Sequence, residues 1–222
     1  MSLGLTKSTI EEIKKMASVE VFDDVEADPS KKTLLKAIEI GKKFKATGVI
    51  GFGGGSSMDV AKLTSLILGS NENIEDAWGV SNAKGPRLPL VLVPTTAGTG
   101  SEVTPISIIT VGEEEKKGVS SAIILPDIAI LDPDLTATVP RDQYFYTGMD
   151  AYIHCIEALA GSYRNAIGDA YSRETVNLCR NVFLSTDMMA AERRSDLMVA
   201  SYLGGCAIAT SYVGVIHPFS AA

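Results

Sequence analysis

The chain has 222 residues, with 20 Lys plus Arg against 27 Asp plus Glu and a formal net charge of −7; an acidic balance excludes nucleic acid as the main partner, because phosphate binding requires clustered Lys and Arg. Hydrophobic residues at 45% and charged residues at 21% are the composition of a globular protein and exclude a disordered or collagen-like chain. Three cysteines, Cys155, Cys179 and Cys206, are odd in number and set in apolar stretches, which excludes a disulfide scaffold and points to a reducing, cytoplasmic setting.

Ser8-Thr9-Ile10-Glu11 has the capping-box pattern, and residues 10–16 after it read as an amphipathic helix. Residues 19–22 form a short β-branched run and predict a strand. Asp28-Pro29-Ser30 predicts a turn and a helix start; between residues 31 and 45, Leu34, Leu35, Ile38 and Phe44 recur at roughly helical spacing with Lys on the other face. Residues 48–52 predict a second strand, residues 56–68 a helix, and residues 90–93 a third strand bounded by Pro89 and Pro94. This alternation implies a parallel sheet with right-handed crossovers and helices on both faces. The unbroken apolar strands are those of a sheet covered on both sides.

After Ile106 the pattern changes. Residues 106–111 and 123–131 read as short strands separated by the charged run 113–117, a candidate hairpin tip. Residues 144–159, 166–184 and 195–212 all read as helices. The predicted architecture is therefore an α/β domain with a parallel sheet over residues 1–140, followed by an all-α domain over 141–222. Ser220-Ala221-Ala222 directly follows an apolar stretch without a capping signal, and Met1-Ser2-Leu3 runs straight into a helix. Both ends read as cuts in a longer protein whose helical domain is incomplete here. No apolar run reaches the roughly 18 residues of a membrane span, and the N-terminus lacks a signal peptide's apolar core.

Gly53-Gly54-Gly55-Ser56-Ser57 lies between a predicted strand and a predicted helix. Glycines let a ligand approach the backbone, and a helix N-terminus offers unpaired N–H groups and a positive dipole end. The segment reads either as a phosphate cradle at the carboxyl end of a parallel strand or as a tight strand-to-helix turn. Met58 stands where the third glycine of a GxGxxG fingerprint would be, and no Gly-Lys-Ser/Thr follows, so it is neither that motif nor a Walker loop. Asp59, one turn into the helix, either complements the dipole or makes a polar contact in a cleft. Pro94-Thr95-Thr96-Ala97-Gly98-Thr99-Gly100-Ser101-Glu102 brings hydroxyls and glycines to the same sheet edge; two such loops can enclose a pyrophosphate and a ribose.

The chain has two histidines, His154 and His217. Asp150 and His154 are at i, i+4 spacing on a predicted helix, which puts both on one face. This suits a shared metal, or a capping or surface hydrogen bond. His217, in an apolar stretch, is either a hydrogen-bonded core residue or a ligand. Two imidazoles and a carboxylate suit Zn²⁺ or Fe²⁺.

Gly53-Gly-Gly-Ser-Ser-Met-Asp59-Val-Ala-Lys62, residues 94–102, Leu131-Asp-Pro-Asp-Leu-Thr136 and Gly148-Met-Asp150-Ala-Tyr-Ile-His154-Cys-Ile-Glu157 together resemble the iron-containing (group III) alcohol dehydrogenases, in order and separation, over essentially the whole chain. The resemblance implies that the α/β domain binds a dinucleotide and that the active site lies between it and the helical domain. It implies NAD or NADP along Gly53, Gly54, Gly55 and Ser56, with Thr95, Thr96, Thr99 and Ser101 around the phosphates and nicotinamide ribose. Asp59 is implied to lie near the nicotinamide and Lys116 near the adenine ribose. Asp150, His154 and His217 are implied as ligands of a divalent metal, Fe²⁺ or Zn²⁺, and act in catalysis through it; a further histidine ligand would lie beyond Ala222. The implied reaction is hydride transfer between a small-molecule primary alcohol and NAD(P), with a homodimer compatible. Residues 161–169 and 209–218 are similar to a branch that oxidises the terminal alcohol of 3-deoxy-octulosonate (Kdo 8-oxidase-like). The competing readings are a dehydroquinate-synthase-like NAD- and metal-dependent lyase and a non-catalytic binding protein; the threonine loop favours the dehydrogenase.

Overall fold

In the computed structural model, which describes residues 7–113, 115–214 and 216–217, α1 (Lys7–Lys14) precedes α2 (Lys31–Phe44), β1 (Val49–Gly53), α3 (Gly55–Ser70), the short α4 (Ile74–Ala77), β2 (Gly79–Val80) and β3 (Leu90–Pro94). Then come β4 (Ile106–Val111), β5 (Glu115–Ser120), β6 (Ile128–Ala129) and three long helices, α5 (Arg141–Ala160), α6 (Ala166–Phe183) and α7 (Ala191–Ser211). No helix among the described residues is long and apolar enough to cross a membrane.

β1, β3 and β6 form a parallel sheet in that order, with Val49 to Gly53 aligned on Leu90 to Pro94. The glycine turn and the threonine loop therefore leave the sheet side by side at its carboxyl edge. One side of α3 packs Met58 and Ala61 on Leu90 and Leu92 of β3. Its other side, with Leu63, Leu66 and Ile67, meets Leu34, Ala37 and Ile38 of α2 and Ile109 and Val119 of the second sheet. Enclosure on both sides explains why α3 is apolar nearly all round. A separate cluster, built on Tyr144, Cys179, Val182, Leu197 and Ala200, holds the three long helices together and takes in Ala97 of the threonine loop.

Several expectations are corrected. Residues 19–22 are not a strand: no described strand pairs with them, and β-propensity without a partner ladder does not make one. Ser8 lies inside α1 rather than capping it. The charged run 113–117 is not merely a hairpin tip, because Glu115 to Lys117 are the first half of β5, with Lys116 opposite Thr110 and Glu115 opposite Val111. A hairpin strand with one wet face tolerates such charges. Residues 123–131 hold a 3₁₀ turn and the two-residue β6 rather than one strand, since Pro126 cannot donate to a ladder. The second sheet, β2-β5-β4, is mixed, with β5 parallel to β2 and antiparallel to β4.

The start of β3 is pinned by Asp127, which accepts from Leu90 N–H at 2.8 Å and from both terminal nitrogens of Arg87 at 2.7 and 2.9 Å. The Arg87 hydrogen bonds hold its carboxyl at about 2, below the usual 3.8. A depressed carboxyl stabilises the fold above its unfolded value, and that stability is lost as pH falls towards 2. Asp127→Asn is expected to flatten the acid limb of the urea midpoint between pH 4 and 2, by less than about 1 kcal/mol because the pair is half exposed.

Candidate functional site

Helix α5 sets Asp150, His154 and Glu157 on one face at i, i+4 and i+7. His154 is buried, with Nε2 3.8 Å from Asp150 Oδ1. α7 ends at Ser211, and Tyr212 takes a positive φ of +60° with ψ 174° before the chain reaches His217 beside α5. His217 Nε2 thereby comes within 3.2 Å of Asp150 Oδ1. The rings of His154 and His217 stack with centroids 4.3 Å apart and planes 14° apart.

One donor atom from each of Asp150, His154 and His217 lies within 4.8 Å of the others. Donors sharing one ion sit at most about 4.2 Å apart, twice a metal–ligand bond of roughly 2.1 Å; the separations to Asp150 of 3.2 and 3.8 Å meet that limit, and the trio as a whole lies within 4.8 Å, so closing on an ion needs a shift of a few tenths of an ångström at most between the two imidazoles. The buried Nδ1 of His154 has no partner among the described residues. Two stacked imidazoles around one carboxylate suit a positive charge at their centre, so the residues fit a divalent cation of the Zn²⁺ or Fe²⁺ type. The electrostatics agree. Burial pushes His154 below the ordinary imidazole range. The Asp150 hydrogen bond pushes His217 above it. Asp150 sits below its usual range: burial raises it, but the His217 bond and both imidazole charges lower it further.

Sequence reasoning assigned no role to Glu157. It is buried, and its carboxylate accepts from the N–H of Ile216 and holds Nδ1 of His217. The signal in the sequence was its place three residues after His154, on the same helix face.

The first turn of α3 begins at Gly55, and its N-cap Gly54 supplies no side-chain oxygen to the first N–H groups. The threonine loop lies directly on this turn. Thr95 N–H donates to Gly53 O at 2.9 Å, and a Cβ on Gly55 would stand 2.9 Å from Thr99 Cγ2. Any larger residue at 55 would require the Thr99 side chain to move. Thr95 and Thr96 are buried, whereas Ser56 and Thr99 are half-buried.

Ser101 and Asp59 face inward. Ser101 Oγ donates to Asp59 Oδ1 at 2.7 Å and accepts from Lys62 Nζ at 2.8 Å. Asp59 also accepts from Ile108 N–H at 2.9 Å. Lys62 is fully buried and further donates to Ile106 O at 2.7 Å and Thr104 Oγ1 at 3.3 Å. Burial pushes Lys62 down to about 8 and pushes Asp59 up. Asp59 lies past the first turn of α3, and its hydrogen bonds run inside the fold to Ser101 and Ile108. Lys62 also went unassigned, although a lysine in an otherwise apolar helix must find partners. Lys116 stands apart on β5, with Nζ 3.0 Å from Asp28 Oδ1.

The threonine loop also touches α5, the helix that carries Asp150 and His154. Gly98 N–H donates to Ser201 Oγ at 2.7 Å, and a Cβ on Gly98 would fall 2.1 Å from Thr147 O. Thr147 is one helical turn before Asp150. One loop therefore rests on the glycine turn at one end and on α5 at the other.

The sequence matches the family model for iron-containing alcohol dehydrogenase over residues 1–133 and that for the Fe-containing alcohol dehydrogenase family, C-terminal, over residues 144–222. A sulfoacetaldehyde reductase of Bilophila wadsworthia (strain 3_1_6) is 33% identical over 222 residues, covering 97% of this chain and 57% of the relative. An NAD-dependent methanol dehydrogenase of Bacillus methanolicus is 31% identical over 224 residues, covering 99% of this chain and 58% of the relative. The crystal structure of sulfoacetaldehyde reductase from Bifidobacterium kashiwanohense in complex with NAD+ superposes with a TM-score of 0.84 at 29% identity, covering 94% of this chain and 57% of that one. The chain thus spans a little over half the length of these relatives. With one model matching its sheet-bearing part and the companion model its three long helices, the chain belongs to the iron-containing alcohol dehydrogenase family.

Proposed function

We propose that this protein is a metal-dependent oxidoreductase that transfers hydride between a primary alcohol and NAD or NADP. The observation that carries the reading is the trio Asp150, His154 and His217, with donor atoms within 4.8 Å, on and beside the helix that the threonine loop touches. When bound, a divalent cation supplies Lewis acidity to the alcohol oxygen and a nicotinamide accepts the hydride. The chain's own residues do the rest. Asp150, His154 and His217 hold the cation, and the Asp150 carboxylate offsets part of its charge. The uncapped N–H groups at Gly55 and Ser56 receive the pyrophosphate with the dipole of α3 behind them. Gly53 and Gly54 leave room for it, Thr95, Thr96 and Thr99 flank the phosphates and ribose, and Lys116 attends the adenine ribose. Asp59 and Ser101, tied to Lys62, brace the threonine loop beneath the nicotinamide. The Gly98–Thr147 contact sets the spacing between cofactor and metal, which decides how often the reactants meet in reacting geometry.

For substrate we propose the terminal alcohol of a sugar acid of the 3-deoxy-octulosonate type. Support comes from the resemblance of residues 161–169 and 209–218 to that branch. It also comes from the exposed rings of Tyr163 and Tyr212, packed edge-on at 5.2 Å between the Arg164 loop and the turn leading to His217. The test is reduction of NAD⁺ and NADP⁺ by the zinc- or iron-loaded protein with simple primary alcohols and 3-deoxy-octulosonate. The expected result is metal-dependent formation of reduced nicotinamide without phosphate release from a phosphorylated heptulosonate. Phosphate release, or no reduction with any alcohol, overturns the proposal.

A further inference from the structure

The geometry points to Glu157 as the positioning residue for the His217 imidazole, a role that rests on the metal site proposed above. Glu157 is 5% exposed, and a buried carboxylate is costly unless every lone pair finds a donor. Its donors come from one short stretch: Ile216 N–H binds Oε1 and His217 Nδ1 binds Oε2. Gly214 lies against the same group, where a Cβ would stand 3.1 Å from Oε1. One carboxylate on α5 therefore grips both the imidazole and the main chain one residue before it.

The geometry of this contact sets which nitrogen can ligate. An ionised carboxylate only accepts hydrogen bonds, so Nδ1 of His217 carries a proton towards Glu157. Nε2 faces the second carboxylate, Asp150 Oδ1, at 3.2 Å and likewise carries a proton without a cation; a bound cation would displace that proton and take Nε2 as its ligand. A carboxylate behind a ligating imidazole fixes the orientation of the ring and raises its basicity. The arrangement is one-sided: His154 Nδ1 has no such partner among the described residues. Since Asp150, His154 and Glu157 share one face of α5, the helix fixes two donors and the orienter of the third in a single rigid array.

The experiment is Glu157→Gln. The amide oxygen still accepts from Ile216 N–H, while the amide N–H₂ faces the Nδ1 proton and cannot accept it. Zn²⁺ and Co²⁺ affinities are measured by chelator competition on wild type and variant, together with the Co²⁺ visible spectrum and the melting temperature of the metal-free protein. The expected result is metal binding weakened about 10- to 100-fold, with a changed Co²⁺ spectrum and a metal-free melting temperature close to wild type. Equal affinity in the two proteins overturns the proposal, as does a drop in metal-free melting temperature with affinity unchanged. A wild type that binds neither ion overturns instead the metal-site reading beneath it. If the Gln variant does not fold, Glu157→Asp, which keeps the acceptor but withdraws it by one methylene, must still weaken binding by a smaller factor; unchanged affinity there has the same overturning force.

Discussion

Gly98→Ala is expected to lower the melting temperature by about 6–12 °C. The added Cβ would lie 2.1 Å from the carbonyl oxygen and 2.6 Å from the carbonyl carbon of Thr147. Both are backbone atoms inside α5 and cannot rotate away, as the tip of a side chain would. Either the threonine loop lifts or the helix bends. Overpacking of this kind costs about 3 kcal/mol at the upper end of its usual range, and each kcal/mol moves the midpoint of a domain this size by roughly 2–4 °C. Lifting the loop also breaks the Gly98–Ser201 bond and draws Ala97 out of the helical core. Because the loop lies between the glycine turn and α5, the proposed function predicts that a shift near 1 Å cuts kcat/KM about 100-fold. Calorimetry and steady-state kinetics on the purified variant check both numbers; a melting temperature within a degree of wild type would show that the two segments do not press together.

The second large effect concerns the metal. His154→Ala is expected to weaken Zn²⁺ binding by at least about 100-fold, since a binding free energy of roughly 10–16 kcal/mol is shared among a few ligands. Activity falls with it. The variant leaves Asp150 and His217 in place, still joined by their 3.2 Å contact, so the loss isolates one donor. Two measurements report it independently of turnover: metal content after dialysis, and the rise in melting temperature on adding Zn²⁺, which measures binding to the folded state. Wild type should show the rise and the variant should not. Metal content equal to wild type would remove the centre of the functional proposal.

Legibility of the site in the sequence followed distance along the chain. Asp150 and His154 are four residues apart on a helix whose length and periodicity were plain, so their shared face could be read directly. His217 was visible only as a histidine in an apolar stretch, or by resemblance. Its position beside Asp150 depends on how α7 packs on α5 and on the positive-φ backbone at Tyr212. Glu157 and Lys62 were passed over because their meaning is their partners, Ile216 and His217 for one and Ser101, Thr104 and Ile106 for the other.

The same division holds for the fold. The helices at residues 31–44, 55–70, 141–160, 166–183 and 191–211 come from hydrogen bonds and side-chain periods within a few residues, and the amino-acid order by itself determined them within a few residues at each end; the strands at 49–53 and 90–94 were legible as unbroken apolar runs, although their ladder joins segments some forty residues apart. The irregular residues 19–22, the charged half of β5 and the two-residue β2 and β6 were decided by tertiary structure. A strand exists only when another segment completes its ladder, and that pairing is set by the packing of α2 and α3 on the sheets. The chemistry obeys the same physics: near neighbours placed Asp150 and His154 on one helix face, and closure of the chain over some sixty residues brought His217 and its carboxylate partner Glu157 together.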